Sequence, residues 1–179
     1  MVIVVMGVSG SGKTTVGKLL AEALGAEFAE GDAYHPPQNV EKMRRGIPLE
    51  DADRWPWLER LSAEIDRWLA AGKIVVLACS ALKQHYRDVL TKGRPGVRFV
   101  YLKGDDALLH ARLERRRGHY MPASLLASQI AALEEPADAI TVDVAGSPEA
   151  IASEILAKLR DHGTASSSKR KAQKEGSAP

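Results

Sequence analysis

Apolar runs and amphipathic segments alternate along residues 1–160. The first run, Val2–Met6, is continuous and rich in valine, which is typical of a strand buried on both faces of a parallel sheet. Apolar residues recur at helical spacing further on, as in residues 16–24 and 57–69. Later strand-like runs are "KIVVLACS", "VRFVYL" and "ITVDV". The alternation predicts an α/β fold of three layers, in which a parallel sheet is flanked by helices on both faces.

The remaining segments complete this pattern. A short strand is predicted just before Asp32, and further helices are predicted near residues 83–90, 105–116, 123–133 and 148–160. From residue 163 the sequence becomes "GTASSSKRKAQKEGSAP", which has no apolar period and cannot repay the entropy of ordering. We therefore expect one domain, residues 1–162, followed by a disordered basic tail, residues 163–179.

Composition and charge limit the classes of partner. Of the 179 residues 45% are hydrophobic, which suits one well-formed core, and the formal net charge of +2 is too small to indicate a nucleic-acid or membrane-surface partner. No apolar run approaches the roughly 18 residues of a membrane span, and the start of the chain lacks the basic region of a signal peptide. Because the single cysteine, Cys79, excludes an internal disulfide, we expect a reducing, cytoplasmic location.

A phosphate-binding loop follows the first strand. The string "GVSGSGKT", residues 7–14, fits G-x-x-x-x-G-K-[ST] and lies between a predicted strand and a predicted helix. In such a loop backbone N–H groups and the helix N-terminus surround phosphate oxygens, Lys13 reaches the β- and γ-phosphates, and the Thr14 hydroxyl ligates Mg²⁺. The sequence therefore predicts ATP and Mg²⁺ as cofactors, with nucleotide contacts from Gly7, Ser9, Gly10, Ser11, Gly12, Lys13, Thr14 and Thr15.

The phosphate-binding loop alone does not name the reaction. A regulatory GTPase would need the base-reading segment N-K-x-D, which does not occur in the chain. A motor ATPase would need an acidic residue directly after an apolar strand, whereas "IVVLACS" ends in Cys79 and Ser80. A small kinase fits better, because it needs a second pocket for an acceptor hydroxyl and a mobile basic lid.

The candidate for that lid is "RLERRRGHYMP", residues 112–122, in which arginines end a predicted helix before a loop that contains Gly and Pro. Phosphoryl transfer requires cations that reach the transferring group and exclude water. We therefore expect Arg112 and Arg116 on the nucleotide, Arg116 also in catalysis, and His119 at the substrate. Alternatively, the arginines only complement the dipole at the C-terminus of their helix.

The polar stretch "GDAYHPPQNV", residues 31–40, is the candidate acceptor site. Its two prolines exclude a continuing strand or helix, because each lacks an N–H and restrains the residue before it. Asp32, at the end of a strand, could accept the proton of an attacking hydroxyl, or else cap a turn. His35, Asn39 and Lys42 offer donors for hydroxyls or a carboxylate, although His35 could equally be a packed loop histidine.

Several long motifs carry a family resemblance. In chain order they are "GDAYHPPQNVEKMRRGIPLEDADRWPWL", "CSALKQHYRDVL", "VYLKGD" and "RRGHYMPASLLASQIAALEEP". These motifs closely resemble the gluconate kinases, which belong to the shikimate-kinase-like P-loop enzymes, and the similarity covers residues 1 to about 160. The resemblance implies a homodimer that uses ATP to phosphorylate the 6-hydroxyl of D-gluconate.

The same resemblance implies roles for individual residues. It makes Asp32 the catalytic base, places Lys13 and Thr14 on ATP and Mg²⁺, makes "CSALK" an acceptor-binding turn, and makes the region around Arg116 the lid. The chain departs from the family at Glu30, where an aspartate is frequent. A longer glutamate could still reach a water bound to Mg²⁺.

The chemistry of gluconate indicates further ligands. Its carboxylate needs Arg or Lys, and its hydroxyls need carboxylate, amide or imidazole partners. Arg54 is the candidate for the carboxylate, unless it forms an ion pair with Asp51 or Asp53. Ser80 and Lys83, after the second buried run, are further candidates for substrate binding.

Two alternative functions follow from the same residues. A sister kinase would phosphorylate another small hydroxy acid, such as shikimate. A non-catalytic nucleotide-binding module would use the loop for ligand binding and the basic tail for a partner. The sister kinase differs from a gluconate kinase in its acceptor, and the non-catalytic module differs in that it does not turn over ATP.

Overall fold

A five-stranded parallel sheet organises the chain. The structure is a computed structural model that describes the backbone of residues 1–115 and 124–175 and the side chains of residues 1–115 and 126–161. Its strands are β1 (Val2–Met6), β2 (Glu27–Glu30), β3 (Val75–Ala78), β4 (Val97–Lys103) and β5 (Ile140–Asp143). Their spatial order is β2-β3-β1-β4-β5, and each neighbouring pair is parallel.

Helices connect the strands. They are α1 (Lys13–Leu24), α2 (Pro37–Arg44), α3 (Asp51–Ala70), α4 (Gln84–Thr91), α5 (Asp106–Arg115), α6 (Ser124–Ala132) and α7 (Pro148–Glu175). A short 3₁₀ turn, Gly31–Tyr34, follows β2. The predicted α/β class is confirmed, because every strand is joined to a parallel neighbour through helical crossovers.

Both faces of the sheet are buried, and this explains the continuous apolar runs. Along β1, alternate side chains pack into two different cores. The first core contains Val2, Val4 and Met6, and the second contains Ile3 and Val5. Helices α3 and α4 cover the first core, and α1 and α7 cover the second. A strand buried on both faces needs apolar residues at every position. The three-layer prediction is therefore confirmed as well.

Helix α3 begins earlier than the apolar spacing indicates, at Asp51 rather than near residue 57. The reason is a capping box: the Glu50 side chain accepts from the Asp53 backbone N–H, and the Asp53 carboxylate accepts from the Glu50 N–H at 2.9 Å. The helix continues through Pro56. Arg54 consequently lies on the first turn of a helix.

Helix α7 continues to Glu175, past its predicted end near residue 160. Its described contacts with the sheet core come from Ile151, Ile155 and their neighbours in the first three turns. The later residues are mainly Ala, Ser, Lys and Glu, which a helix tolerates. The predicted boundary at residue 162 falls inside this helix, so the division into a domain and a tail stays a prediction. Across the described residues, neither α7 nor another helix is long and apolar enough to cross a membrane.

The predicted arginine-rich lid, residues 112–122, begins with residues 112–115 in the last turn of α5. Residues 116–123, which include Arg116 and His119, fall outside the described residues. The lid and the roles given to these two side chains therefore stay predictions.

Candidate active site

The phosphate-binding loop joins β1 to α1 with left-handed backbone at its glycines. Gly10 and Gly12 have φ of +84° and +92°, and Gly12 is the N-cap of α1. A Cβ on Gly7 would lie 2.9 Å from the Leu102 carbonyl oxygen, so only glycine fits between the loop and β4. Because L-residues avoid this backbone region, the glycine pattern determines the shape of the loop. This is the arrangement in which backbone N–H groups surround a phosphate.

Lys13 and Thr14 open α1 at the mouth of this loop. The Lys13 Nζ donates to the Val8 carbonyl oxygen at 3.0 Å, so the side chain folds back across the loop. The Thr14 hydroxyl donates to the Glu30 carboxylate at 2.8 Å. Hydroxyl and carboxylate oxygens are the ligands that Mg²⁺ prefers. The side chains present therefore fit the phosphates and metal ion that the sequence predicts.

Glu30 is the acidic partner that the described structure offers beside Thr14. The pKa of Glu30 is raised, mainly by burial. The hydrogen bond from Thr14 lowers this pKa, and the negative charge of Asp32 raises it further. Among the described residues there is no cluster of three or more His, Cys, Asp or Glu side chains that could hold a metal ion. A Mg²⁺ ion at Thr14 would accordingly depend on phosphate oxygens and water for its other ligands.

Asp32 lies on the 3₁₀ turn that follows β2. The turn packs tightly against the end of β3, because a Cβ on Gly31 would lie only 2.6 Å from the Ala78 carbonyl oxygen. From the other side, the buried indole Nε1 of Trp57 donates to the Gly31 carbonyl oxygen at 2.8 Å. Both contacts hold the Asp32 backbone at the carboxyl end of the sheet. Helix α3 thus supports the turn that carries the candidate base.

We expect Trp57→Phe to loosen this turn. The phenyl ring keeps most of the packing but leaves the buried Gly31 carbonyl without its donor, which costs about 1–3 kcal/mol. The midpoint of thermal unfolding should fall by several degrees and kcat should fall with it. The matched control is Trp68→Phe, which makes the same change on α3 at a partly buried tryptophan. Equal effects of the two variants would contradict a specific role for the Trp57 hydrogen bond.

A pocket in front of the phosphate-binding loop collects half of the predicted site residues. The order β2-β3-β1 brings the ends of three strands together, and the Gly7 N–H lies 3.4 Å from the Ser80 carbonyl oxygen. The pocket is lined by Ser9, Gly10, Gly12, Lys13, Thr14, Glu30, Asp32, His35, Met43, Pro48, Leu49, Arg54, Ser80, Ser128 and Gln129. We call it the acceptor pocket.

Two polar residues of α6 that line the pocket, Ser128 and Gln129, were not among the predicted site residues. They lie on α6, and the Gln129 side-chain oxygen accepts from the Ser9 backbone N–H at 2.7 Å. This contact ties α6 to the phosphate-binding loop across 120 residues of sequence. The sequence around Gln129 does not predict this contact, because its pattern is that of a mainly apolar helix.

His35 and Asn39 form a buried pair at the wall of the acceptor pocket. The His35 ring stacks on Trp57, with centroids 4.3 Å apart and planes 14° from parallel. Burial is the main reason that the pKa of His35 falls to about 4; the charge of Asp32 raises it and that of Arg54 lowers it. Asn39 lies behind His35, donates to the Asp53 carbonyl oxygen at 2.7 Å, and does not line the pocket.

Two further predicted ligands have partners outside the pocket lining. Lys42 pairs with Asp53 at 2.7 Å, and Lys83 pairs with Asp51 at 2.8 Å. The Lys83 hydrogen bond, followed by that from Tyr86, lowers the pKa of Asp51 to about 2. The assignment of Lys42 and Lys83, like that of Asn39, to substrate binding stays a prediction.

Arg54 keeps its side chain at the acceptor pocket. In the described residues no ion pair joins it to Asp51 or Asp53, the two carboxylates that sequence offers as partners. Its guanidinium instead lies 5.7 Å from the centroid of the Tyr86 ring, a cation–π distance. The Tyr86 hydroxyl donates to Asp51 at 2.5 Å, which holds the ring in place.

A second hollow shares Gly10 and Gly12 with the acceptor pocket and reaches the start of α7. It is lined by Gly10, Ser11, Gly12, Thr15, Val16, Arg112, Pro148 and Ile151. Arg112 donates to the Val144 carbonyl oxygen at 2.6 Å, which anchors α5 to the loop after β5. Thr15 and Arg112, both predicted nucleotide contacts, meet here although they lie almost 100 residues apart.

The sheet order and the glycine loop define the class of P-loop kinases. The family described as AAA domain matches residues 2–136. The fold is also that of shikimate kinase from Aquifex aeolicus, with a TM-score of 0.59, 23% sequence identity, and coverage of 92% of this chain and 99% of that chain. At that identity the likeness establishes the fold alone.

Closer relatives name the family within this class. The chain is 49% identical over 157 residues to the gluconokinase of Gluconobacter oxydans, covering 86% of this chain and 88% of the relative. It is 51% identical to the gluconokinase of Sinorhizobium meliloti, whose crystal structure gives a TM-score of 0.78 and covers 89% of this chain and 91% of that chain. The chain belongs to the gluconokinase family.

Proposed function

We infer that this chain is an ATP-dependent kinase that converts D-gluconate to 6-phospho-D-gluconate. The observation that carries the inference is the acceptor pocket, where Lys13, Asp32 and Arg54 line one space. A phosphate-binding lysine, a carboxylate and an arginine are the groups that phosphoryl transfer to a hydroxylated acid requires. Membership of the gluconokinase family supports the same acceptor.

The side chains along the acceptor pocket have different roles. Asp32, next to the phosphate-binding loop, accepts the proton of the attacking 6-hydroxyl, and Lys13 balances the charge of the transferring phosphoryl group. Arg54 takes the carboxylate of gluconate in a charge-assisted pair. His35 and Ser80 meet the hydroxyls between these two ends.

Magnesium, subunit organisation and location belong to the same proposal. Mg²⁺, when bound, neutralises phosphate charge, and Thr14 with Glu30 beside it would hold the ion and its water. We propose a homodimer on the strength of the family resemblance. We also propose a cytoplasmic enzyme with neither nucleic-acid nor membrane partners; its single cysteine, Cys79, is buried, which is consistent with a reducing compartment.

The charge of the acceptor pocket supports an acceptor with a single carboxylate. Of the described residues that line the acceptor pocket, Lys13 and Arg54 are the cationic ones, since His35 is neutral above a pH of about 4. With Lys13 at the phosphates, Arg54 is left to meet a single carboxylate. The pocket therefore suits a hydroxylated monoacid.

A coupled assay of ADP release tests the function. The acceptors are gluconate, shikimate and nucleoside monophosphates, each at saturating ATP and Mg²⁺. We expect rapid ADP release with gluconate alone. Release with shikimate instead would establish the sister kinase, and ATP binding without release on any acceptor would establish the non-catalytic module.

Arg54→Ala should weaken gluconate binding selectively. Loss of a charge-assisted, bidentate pair costs on the order of 2–4 kcal/mol, so the KM for gluconate should rise about 30-fold or more while the KM for ATP changes little. Arg67→Ala is the matched control, because it removes an exposed arginine of the same helix that pairs with Glu64. An unchanged KM for gluconate in Arg54→Ala would show that Arg54 is structural.

A further inference from the structure

We propose that Asn39 fixes His35 as the neutral imidazole with its proton on Nε2, so that His35 donates a hydrogen bond to a substrate oxygen in the acceptor pocket. Asn39 is then a positioning residue that acts through His35 and does not touch the substrate. The substrate part of this proposal rests on the proposed function. The proton position is a property of the free protein and stands independently.

The orientation of the Asn39 amide follows from its first partner. Its Nδ2 lies 2.7 Å from the Asp53 backbone carbonyl oxygen, which can only accept a hydrogen bond. The atom at this position must therefore be the NH₂ nitrogen. The amide has a second hydrogen, and the same nitrogen lies 3.3 Å from Nδ1 of His35.

The proton position on His35 follows from that orientation. An amide N–H directed at Nδ1 requires Nδ1 to accept, so this ring nitrogen carries no proton. With a proton on Nδ1, two donors would face each other at a site where Asn39 is 1% exposed and His35 is 8% exposed. Buried donors without acceptors cost about 1–3 kcal/mol each, which strongly disfavours that tautomer.

The surroundings also keep the ring singly protonated. The indole of Trp57 covers one face of the ring. The charged groups that act on it are Asp32 and Arg54, which oppose each other, and burial outweighs both. Above a pH of about 4 the ring therefore holds one proton. With Nδ1 occupied by Asn39, that proton lies on Nε2.

The Nε2–H is directed to the acceptor pocket. His35 lines this pocket, and its other polar atom is taken by Asn39. Among the described residues none accepts a hydrogen bond from Nε2, and Nε2 is not one of the fully buried unpaired atoms. An oxygen of the bound acceptor is thus the natural partner of this N–H.

This arrangement has a consequence for specificity. A neutral donor binds a hydroxyl oxygen without adding positive charge, so it does not attract a second carboxylate. Arg54 then remains the cation for the single carboxylate of the substrate. A protonated His35 would instead attract dicarboxylic sugar acids, which lack the terminal hydroxyl that is phosphorylated and would act only as inhibitors.

The tautomer can be measured directly by NMR on the full chain labelled with ¹⁵N-histidine, without substrate. We expect the His35 ring at pH 7 to show an unprotonated Nδ1 and a protonated Nε2, with titration only near pH 4. The signals are assigned by their loss in His35→Gln. A protonated Nδ1, or an imidazolium ring at pH 7, would overturn the proposal whatever the enzyme phosphorylates.

Asn39→Asp tests the positioning role, because it replaces only the side-chain NH₂ group by an oxygen. A carboxylate beside Nδ1 accepts instead of donating, so the ring should gain a proton on Nδ1 and its titration should move to higher pH. The KM for gluconate should rise about tenfold while the KM for ATP stays the same, and a dicarboxylic sugar acid, which lacks the terminal hydroxyl, should inhibit the variant more strongly than the unaltered chain. Glu41→Gln, an exposed residue of the same helix, is the control for charge and should change none of these.

The outcomes separate the two proposals. An unaltered tautomer and KM in Asn39→Asp would overturn the positioning role of Asn39. If the tautomer shifts in Asn39→Asp but the unaltered chain releases no ADP with gluconate, the positioning role of Asn39 is established and the proposed function is refuted. If Asn39→Asp does not fold, the tautomer of the unaltered chain still decides the proposal.

Discussion

Replacing Lys13 with alanine should lower kcat about 10³–10⁵-fold, the scale seen when a cation that stabilises a transferring phosphoryl group is removed. The side chain is only partly buried and crosses the phosphate-binding loop to the Val8 carbonyl oxygen at 3.0 Å. It belongs to none of the hydrophobic cores. The variant should therefore keep its circular dichroism spectrum and its thermal unfolding midpoint, while ADP release with gluconate nearly stops.

A second lysine of the same helix provides the control. Lys18 is exposed on α1 and lies 5.8 Å from the centroid of the Phe28 ring. Lys18→Ala removes the same charge from the same element, and we expect a normal kcat. A folded Lys13→Ala variant with near-normal turnover would contradict the phosphate-binding role of the loop.

Asp32→Asn should lower kcat about 10²–10⁴-fold while both substrates still bind. The amide keeps the size of the side chain and one acceptor oxygen but cannot take up a proton. Because Trp57 and the close packing of Gly31 hold the turn, the substitution should leave the position of residue 32 unchanged. Steady-state kinetics with gluconate and ATP measure the effect, and Asp138→Asn, at an exposed loop position, is the control.

The pH–rate profile separates a base from an orienting group. A base must be unprotonated, so activity of the unaltered chain should fall as the pH is lowered, and Asp32→Asn should lack that acid limb. If Asp32 only orients the hydroxyl, the amide retains more activity, because a loose phosphoryl-transfer transition state needs little help from a base. The same acid limb in both enzymes would place the titrating group elsewhere.

If Asp32 does not cause the acid limb of the pH–rate profile, its neighbours Glu30 and His35 are the next candidates. Burial raises the pKa of Glu30, so a limb from Glu30 would lie at higher pH than an ordinary glutamate gives. Burial lowers the pKa of His35 to about 4, and its protonation would affect the rate only near that pH. The position of a shared limb therefore identifies its source.

Local pattern accounts for much of the fold and for half of the site. Strands buried on both faces need continuous apolar residues, so β1 and β3 were predictable from a few residues each. The phosphate-binding loop is equally local, because its strand, glycines and helix are contiguous in sequence. Lys13 and Thr14 follow from that loop alone. The sequence also indicates Asp32, since a charged residue after a strand lies at the binding edge of a parallel sheet.

Tertiary structure decided which side chains share the acceptor pocket. Lys42 and Asn39 share a local motif with Asp32, yet the start of α3 supplies partners for both, at Asp53. Gln129 reaches Ser9 only because α6 folds back over the loop. Such contacts join residues far apart in the chain. Whether they form depends on how the helices pack against the sheet, which the local sequence pattern does not specify. The sequence therefore determined the phosphate-binding loop and Asp32, and the docking of α3 and α6 determined which other side chains lie beside them.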